Sequence, residues 1–305
     1  MADAGKNYKI ILLALLALLS IHAAICLLWH RDSTVAASQW GANKIRTERF
    51  LFSDTSSDCV LVGSSMSAVL EETVDGKPYG KPDIVNLAYA GGSPLTGLQL
   101  IALSEKTPAC LLIESNLAYK DSDVDQLALV NNKALWLAKR FIINLRHENQ
   151  PLNLLLTFLK TLRNPPVDKQ HDNIGGQALN RRSGEDYNRV KPLIADRVSS
   201  MARLSEQMIA EGAERLVELA EQLEARGTEV IFFEMPGEQE VRDSVYYQRL
   251  RTILREELAN SAKLSSSAAT LNIVEIEVST TTDGVHLGKQ STVLATEAMF
   301  NLIAK

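Results

Sequence analysis

A run of uncharged, mostly apolar residues at positions 10–29 is the strongest constraint on the fold of this 305-residue chain. Lys6 and Lys9 precede the run, and Arg31 follows it. About 20 apolar residues in a helix are enough to cross the hydrocarbon core of a bilayer. The run has no polar face that would suit the surface of a soluble domain. We therefore expect residues 1–30 to form a transmembrane signal anchor.

A cleaved signal peptide is the alternative interpretation of the same run. The apolar part of such a peptide is roughly 7–15 residues long, which is shorter than this run. Ala23 and Ala24 are small, but further apolar residues follow them instead of a polar boundary. We favour the uncleaved anchor. Because positive charge flanks both ends, the orientation is inferred from the kind of domain that follows.

Short apolar segments alternate with stretches of helical pattern from residue 59 onward. Candidate strands cover residues 59–63, 83–88, 109–115, 229–235 and 271–277, and candidate helices cover 66–72, 94–105 and 289–303. This alternation predicts an α/β fold with a central parallel sheet that helices cover on both faces. The continuous apolar segments fit strands that are buried on both sides.

The interval 121–226 breaks this rhythm. Its residues 136–146 and 152–162 have a helical pattern, 164–186 read as a polar loop, and 194–226 predict one long helix or two. We interpret about 121–193 as a helical insertion, which either contacts substrate or only adds packing. The predicted domains are the anchor at 1–30, a linker or juxtamembrane segment at 31–57, and an enzyme-like domain at 58–305.

Two cysteines have matching positions in neighbouring candidate strands. Cys59 lies six residues before Ser65, and Cys110 lies six residues before Asn116. In adjacent parallel strands they would lie at the same level of the sheet and could form a disulfide in an oxidising compartment. Alternatively, both are small buried apolar residues with free thiols.

Polar residues follow the candidate strands at the points where the strands end. In an open parallel sheet the ligand site lies at the C-terminal ends of the strands. We therefore expect one site at this edge of the sheet. Its candidate residues are Ser65, Asn86, Gly91, Asn116, Asp283 and His286.

These residue types suit acyl transfer. A serine hydroxyl becomes a nucleophile when a base such as His286 takes its proton, and Asp283 can hold the imidazole in the required tautomer. Backbone N–H groups of Ser65 and Gly91, with the amide of Asn116, can donate to the oxyanion of the transition state. Asn86 is either a further polar group of the site or a tie between a loop and the backbone.

Four short blocks of the chain resemble the SGNH, or GDSL, hydrolase superfamily. The blocks are VLVGSSMS at 60–67, NLAYAGGS at 86–93, IESN at 113–116 and DGVHL at 283–287. The resemblance implies a flavodoxin-like three-layer sandwich. It also implies that Ser65 is the nucleophile, that Gly91 and Asn116 are oxyanion donors, and that Asp283 and His286 complete the triad.

The blocks depart from the family pattern at several positions. Ser64 stands where the family has aspartate, which leaves Ser64 as an alternative nucleophile. Gly92 is an alternative to Gly91 as the oxyanion donor. The third block has Glu114 in place of its leading glycine and Leu117 in place of its trailing aspartate. Glu114 is expected to be a hydrogen-bonded structural carboxylate.

The variant start of the first block, together with an anchor, is similar to envelope members of the superfamily. The resemblance implies a serine-dependent esterase or O-acyltransferase that acts on an acylated cell-envelope polysaccharide or exopolysaccharide. Its domain would face the periplasm or exterior from the bacterial inner membrane. The alternative is a non-catalytic SGNH-like subunit of a membrane polysaccharide synthesis or modification complex. Either form is expected to have a membrane-protein partner.

Charge and histidine placement argue against other classes of ligand. The formal net charge is −5, and lysine and arginine are scattered. Nucleic-acid phosphates require a basic surface, so we expect no nucleic-acid partner. His147 and His171 lack the spacing of metal ligands, so we expect neither a metal nor a cofactor.

Overall fold

A five-stranded parallel sheet forms the centre of the fold. The computed structural model describes residues 2–28, 34–53, 59–70, 84–104, 106–163, 184–265, 267–276 and 281–303. The strands are β1 (Cys59–Val62), β2 (Ile84–Asn86), β3 (Cys110–Glu114), β4 (Glu229–Glu234) and β5 (Leu271–Ile273). Their order across the sheet is β2-β1-β3-β4-β5, and every pair is parallel. The predicted α/β class with a central parallel sheet is confirmed.

Eleven α-helices accompany the sheet in the described part of the chain. In chain order they are α1 (Ala2–Leu28), α2 (Gln39–Phe52), α3 (Pro94–Leu103), α4 (Val124–Asn131), α5 (Lys133–Phe141), α6 (Pro151–Arg163), α7 (Gly184–Ala202), α8 (Glu206–Glu224), α9 (Gln239–Arg242), α10 (Val245–Asn260) and α11 (Lys289–Ile303). Two short 3-10 helices, Ile143–Leu145 and His147–Asn149, lie between α5 and α6.

The chain divides into two compact units. A sheet unit comprises Ser53–Val130 and Asn173–Lys305, and a helical unit comprises Met1–Phe52 and Asn131–Asp172. The strands β1 and β3 of the sheet unit are buried along their whole length, which accounts for their unbroken apolar sequences.

The helical unit contains α1, and an 18-residue window within its stretch Tyr8–Leu28 has a mean hydropathy of 2.8. By length and composition this stretch can cross a membrane. The unit also contains α2, which lies in the interval 31–57 that was interpreted as a linker. Helices α5 and α6 of the predicted insertion belong to this unit, whereas α7 belongs to the sheet unit.

A buried carboxylate joins α2 to the insertion inside the helical unit. Glu48 accepts hydrogen bonds from Nζ of Lys139, from Nδ1 of His147 at 2.8 Å and from the backbone N–H of His147 at 2.6 Å. Burial opposes ionisation of Glu48, but the bonds from His147 and Lys139 outweigh it and lower the pKa of this carboxyl. A charged, fully paired glutamate therefore fixes residues that are far apart in the sequence.

One predicted helix, at 66–72, differs from the structure. Residues 65–69 form a turn instead of an α-helix. The side-chain amide of Asn86 donates to the carbonyls of Ser67 and Leu70, which a continuing helix would use for its own hydrogen bonds. Of the alternatives of one long helix or two at 194–226, the structure has two helices: α7 ends at Ala202, and α8 begins after Ser205, which caps it. Most of the predicted loop at 164–186 lies outside the described residues.

The two cysteines of β1 and β3 are joined as a disulfide. The register pairs Cys59 with Cys110 across the parallel ladder, and their Cα atoms are 4.5 Å apart. Of the two alternatives open from the sequence, the structure therefore has the bonded form. The cross-link fixes the two strands whose C-terminal ends lead to Ser65 and Asn116.

Candidate active site

A chain of hydrogen bonds connects Ser65, His286 and Asp283 in the sheet unit. Oγ of Ser65 lies 2.8 Å from Nε2 of His286, and Nδ1 of His286 lies 2.9 Å from Oδ2 of Asp283. Ser65 and His286 are 221 positions apart in the sequence. This is the nucleophile, base and orienting carboxylate arrangement of serine hydrolases.

Asp283 and His286 share a tight loop before α11. Oδ1 of Asp283 accepts from the backbone N–H groups of Val285 at 3.2 Å and His286 at 3.0 Å. Gly284 has a φ of +94°, a backbone conformation that suits glycine. The carbonyl of Gly284 accepts from the N–H of Glu238, which ties the loop to the start of α9. The two residues between Asp283 and His286 thus form a loop that brings the imidazole of His286 within hydrogen-bond distance of the Asp283 carboxylate.

Arg197 on α7 is a further partner of the triad carboxylate. Its Nη2 donates to Oδ2 of Asp283 at 2.9 Å. Burial opposes ionisation of Asp283, but hydrogen bonds from His286 and Arg197 outweigh it and hold the pKa of this carboxyl well below its usual range. Asp283 is therefore a carboxylate at neutral pH. No motif in the sequence marks Arg197, and sequence reasoning missed it.

The geometry favours Ser65 over Ser64 as the nucleophile. Ser64 is completely buried, and its hydroxyl donates to Oε1 of Glu114 at 2.6 Å. Ser65 is only partly buried, and its hydroxyl reaches the imidazole of His286. A serine bound to a buried carboxyl is unavailable to substrate, whereas a serine beside a base can be activated.

Glu114 holds the turn that carries Ser65. This completely buried carboxyl at the end of β3 accepts from the backbone N–H and hydroxyl groups of Ser64 and Ser67. Burial raises the pKa of Glu114, and the four hydrogen bonds only partly offset that effect. The expected structural role is observed, and the sequence pattern gives no indication that Glu114 binds the residues on both sides of Ser65.

Gly63 is required for this close approach. A Cβ atom at this position would lie 2.5 Å from Oε2 of Glu114 and 2.9 Å from its Cβ. Such a distance is below ordinary van der Waals contact, so the carboxyl would have to move. The glycine of the first block therefore makes room for the buried glutamate.

The second block forms a tight turn at Gly91. The N–H of Gly92 donates to the carbonyl of Tyr89 at 2.8 Å, and Gly91 has a φ of +73°. Nζ of Lys120 donates to the carbonyl of Gly91. Within the described residues, the backbone N–H groups of Gly91 and Ser65 have no acceptor. Gly91 is thus better suited than Gly92 to donate to an oxyanion.

Asn116 ties the ends of two strands together. Its Nδ2 donates to the carbonyl of Met235 at 3.1 Å and to the hydroxyl of Tyr247 at 3.2 Å. Its Oδ1 accepts from the N–H of Met235 at 2.7 Å. Both hydrogens of the amide nitrogen therefore have acceptors already. The role of Asn116 as an oxyanion donor stays a prediction.

Asn86 fixes the nucleophile turn from the neighbouring strand. Its Nδ2 donates to the carbonyls of Ser67 and Leu70, each at 3.0 Å, and its Oδ1 accepts from the N–H of Ala88 at 2.9 Å. The side chain is buried, and its polar atoms bond to backbone. Of the two roles that the sequence leaves open for Asn86, the structure shows the second: its side chain binds a loop to the backbone.

The described residues contain no group of three or more histidine, cysteine, aspartate or glutamate side chains that could hold a metal ion. His147 bonds to Glu48, and its ring lies 5.3 Å from that of Trp40. His171 lies outside the described residues. The prediction of no metal and no cofactor stays a prediction.

Comparison with known proteins identifies no relative. No protein-family model, no curated protein and no solved structure matches this chain. Function is therefore inferred from the geometry of the site.

Proposed function

We propose that this protein is a serine-dependent esterase or O-acyltransferase of the SGNH type. The observation that carries the proposal is the chain of hydrogen bonds from Ser65 through His286 to Asp283. Each of the three groups has the partner that nucleophilic catalysis requires. The proposed substrate is an acylated cell-envelope polysaccharide or exopolysaccharide.

The proposed reaction passes through an acyl-enzyme. Nε2 of His286 takes the proton of Ser65 while Oγ attacks the acyl carbonyl carbon. The ionised Asp283 stabilises the imidazolium that forms. As the tetrahedral intermediate collapses, His286 returns the proton to the departing alcohol. Water or a sugar hydroxyl then attacks the carbonyl carbon of the acyl-serine while His286 takes its proton. As this second tetrahedral intermediate collapses, the bond from that carbon to Oγ breaks, His286 returns the proton to Oγ of Ser65, and the acid or a new ester leaves.

Two backbone donors suit the developing oxyanion. The N–H groups of Ser65 and Gly91 have no acceptor within the described residues. Each belongs to a turn that side chains fix in place: Glu114 binds the first, and Lys120 binds the carbonyl of Gly91. Fixed donors stabilise the transition state without reorganising during the reaction.

The topology supports the assignment to the SGNH type. The strand order β2-β1-β3-β4-β5 is the flavodoxin-like order of doubly wound sheets. In such sheets the ligand site lies beyond the C-terminal ends of the strands. Ser65 follows β1, and Asn116 follows β3, in agreement with that rule. A flavodoxin-like three-layer sandwich is the finer fold that we propose.

The disulfide and the apolar stretch of α1 support a location outside the cytoplasm. Disulfides such as Cys59–Cys110 persist in oxidising compartments. The stretch Tyr8–Leu28 can act as a single-pass anchor. We therefore propose the bacterial inner membrane, with the sheet unit facing the periplasm or exterior, where acylated envelope glycans are within reach.

A second candidate function is that of a non-catalytic accessory subunit. The observation that favours it is the engagement of both amide hydrogens of Asn116 by Met235 and Tyr247. In this alternative the domain binds an acylated glycan without turning it over. A membrane-protein partner would then perform the chemistry, as part of a polysaccharide-modifying complex.

Ester turnover distinguishes the two candidates. Full-length protein in detergent is assayed for hydrolysis of an aryl acetate and for acetate release from an O-acetylated polysaccharide. Ser65→Ala and His286→Ala should abolish turnover, while Ser267→Ala, at an exposed serine, should match the wild type. Equal rates of ester turnover for wild type and Ser65→Ala would contradict the proposal that the protein is an enzyme with Ser65 as its nucleophile. A folded wild type without turnover would favour the accessory subunit.

A further inference from the structure

Helix α6 of the helical unit buries two polar residues and exposes a row of leucines, unlike an ordinary surface helix. Asn153 and Thr157 are buried on one side. A helix at the surface of a soluble domain normally turns such polar residues toward water. The opposite side exposes leucines, with exposed fractions of 56% at Leu152, 52% at Leu155, 50% at Leu159 and 63% at Leu162.

The buried polar residues of α6 bind the backbone that follows α1. Oδ1 of Asn153 accepts from the N–H of Ala37 at 2.9 Å, and Oγ1 of Thr157 accepts from the N–H of Val35 at 2.9 Å. Nδ2 of Asn153 donates to the carbonyl of His147 at 2.6 Å. These bonds fix the orientation of α6, so the leucine face cannot turn inward without breaking them.

The residues just before α6 also bind α1 itself. Nε2 of His22 lies 2.7 Å from the carbonyl of Asn149, and its Nδ1 lies 3.1 Å from Nδ2 of Asn144. His22 lies six residues, or about 9 Å, before the end of the stretch Tyr8–Leu28. A polar side chain at hydrocarbon depth requires hydrogen-bond partners. Those partners place the start of α6 beside the apolar stretch.

The apolar side chains of α1 and α6 form one continuous surface. An open groove between them is lined by side chains of both, including Ile21, Ile25 and Leu28 of α1 and Leu154 and Leu155 of α6. No acidic residue occurs in α6, and its charged residues are Lys160 and Arg163 in its last turn. Basic residues at the end of an apolar face suit the anionic head groups of a bilayer.

We propose that α6 is an interfacial helix embedded in the leaflet that holds the C-terminal part of α1. Its leucine face contacts lipid acyl chains, and Lys160 and Arg163 lie at the head groups. The occupant of this face is the bilayer, because the surface is continuous with the apolar stretch of α1. The proposal depends on α1 crossing the membrane and is independent of the esterase activity.

Site-directed fluorescence in vesicles tests this placement. Single cysteines replace Leu155 or Leu159 in a full-length Cys26→Ala background, with the Cys59–Cys110 disulfide left oxidised. Each variant is labelled with bimane and reconstituted into vesicles of phosphatidylethanolamine and phosphatidylglycerol. The phospholipids carry either ordinary or brominated acyl chains. Brominated chains quench a fluorophore only where it reaches hydrocarbon.

Two further positions serve as matched controls. Leu27→Cys probes α1, and Leu193→Cys probes an exposed leucine on α7, where 51% of the side chain is exposed. We expect the loss of fluorescence at Leu155 and Leu159 to equal that at Leu27, with no loss at Leu193.

Each contrary outcome has a definite meaning. Quenching at Leu27 without quenching at Leu155 and Leu159 would overturn the proposal and leave the anchor intact, as expected if a protein covers the leucine face. Absence of quenching at Leu27 would remove the membrane span on which the proposal depends. Equal quenching at Leu193 would also overturn the proposal, because lipid contact would then not distinguish the leucine face of α6 from an exposed leucine elsewhere in the chain.

Discussion

The hydroxyl of Ser64 donates to Oε1 of Glu114 over 2.6 Å, which fixes the residue next to the nucleophile onto a completely buried carboxyl. Oε2 of the same carboxyl accepts the backbone N–H groups of Ser64 and Ser67. The position of Ser65 thus depends on a side chain that contacts neither His286 nor Asp283 within the described hydrogen bonds. Glu114 is therefore a positioning residue.

Two substitutions of Glu114 distinguish the effect of its hydrogen bonds on ester turnover from the effect of its charge. Glu114→Leu leaves two buried N–H groups without an acceptor, at a cost of about 1–3 kcal/mol each in unfolding free energy. Glu114→Gln can keep its oxygen on the N–H groups and donate its amide to Ser64. We expect Glu114→Leu to abolish ester turnover and Glu114→Gln to retain most of it. Denaturant titration and an aryl-acetate assay measure both, and equal loss in both variants would argue against this account.

The raised pKa of Glu114 predicts how stability changes with pH. Because the folded protein favours the protonated carboxyl, its contribution is fully present below the pKa of the unfolded chain and is lost as pH rises through the folded pKa. Glutamine mimics the protonated form at all pH values. Wild type should therefore lose unfolding free energy relative to Glu114→Gln as the pH rises above the pKa of the unfolded glutamate. Parallel titrations measure the difference, and a constant difference would contradict the expectation.

Asn116 is expected to matter more for stability than for turnover. Its amide already bonds to Met235 and Tyr247, so Asn116→Ala should lower the unfolding free energy by about 1–3 kcal/mol. Turnover of the folded variant should fall less than tenfold. A loss of about 10²–10³ with unchanged stability would instead identify Asn116 as an oxyanion donor. Denaturant curves and assays at temperatures where the variant is folded decide between them.

The bond of Asp283 to His286 is expected to matter more for turnover than its bond to Arg197. The guanidinium of Arg197 is more than a third exposed, and such pairs are worth at most about 1 kcal/mol, so Arg197→Ala should change turnover within about fivefold. Asp283→Asn should reduce turnover on the order of 10⁴-fold, as in other serine triads, because the imidazole loses its correct tautomer. Steady-state kinetics of both variants test this, and comparable losses would make Arg197 part of the catalytic machinery.

Much of the sheet could be predicted from the sequence because buried parallel strands leave a simple signal. The apolar segments at 59–63 and 109–115 contain β1 and β3 in register. The helix predicted at 66–72 was wrong over residues 66–69, where the chain forms a turn. A local sequence pattern gives no indication that the amide of Asn86, on another strand, donates to the carbonyls of Ser67 and Leu70. A continuing helix would use these carbonyls for its own hydrogen bonds.

The candidate site was predictable where its residues belong to short blocks. Ser65, Asp283 and His286 each lie in such a block, and the structure brings them together. Arg197 comes from a helix 86 positions before Asp283 in the sequence, and a lone arginine in a helical pattern looks like any solvated residue. The choice between Ser64 and Ser65 also depended on a tertiary contact, the bond from Ser64 to Glu114.

Mapping the site of a fluorophosphonate adduct tests the central claim most directly. The reagent bonds to activated serines, so full-length protein is labelled, digested and sequenced by mass spectrometry. An activated Ser65 predicts one adduct on Ser65, retained in Ser64→Ala and lost in His286→Ala. An adduct on Ser64, or labelling of Ser65 that persists without His286, would contradict the triad described above.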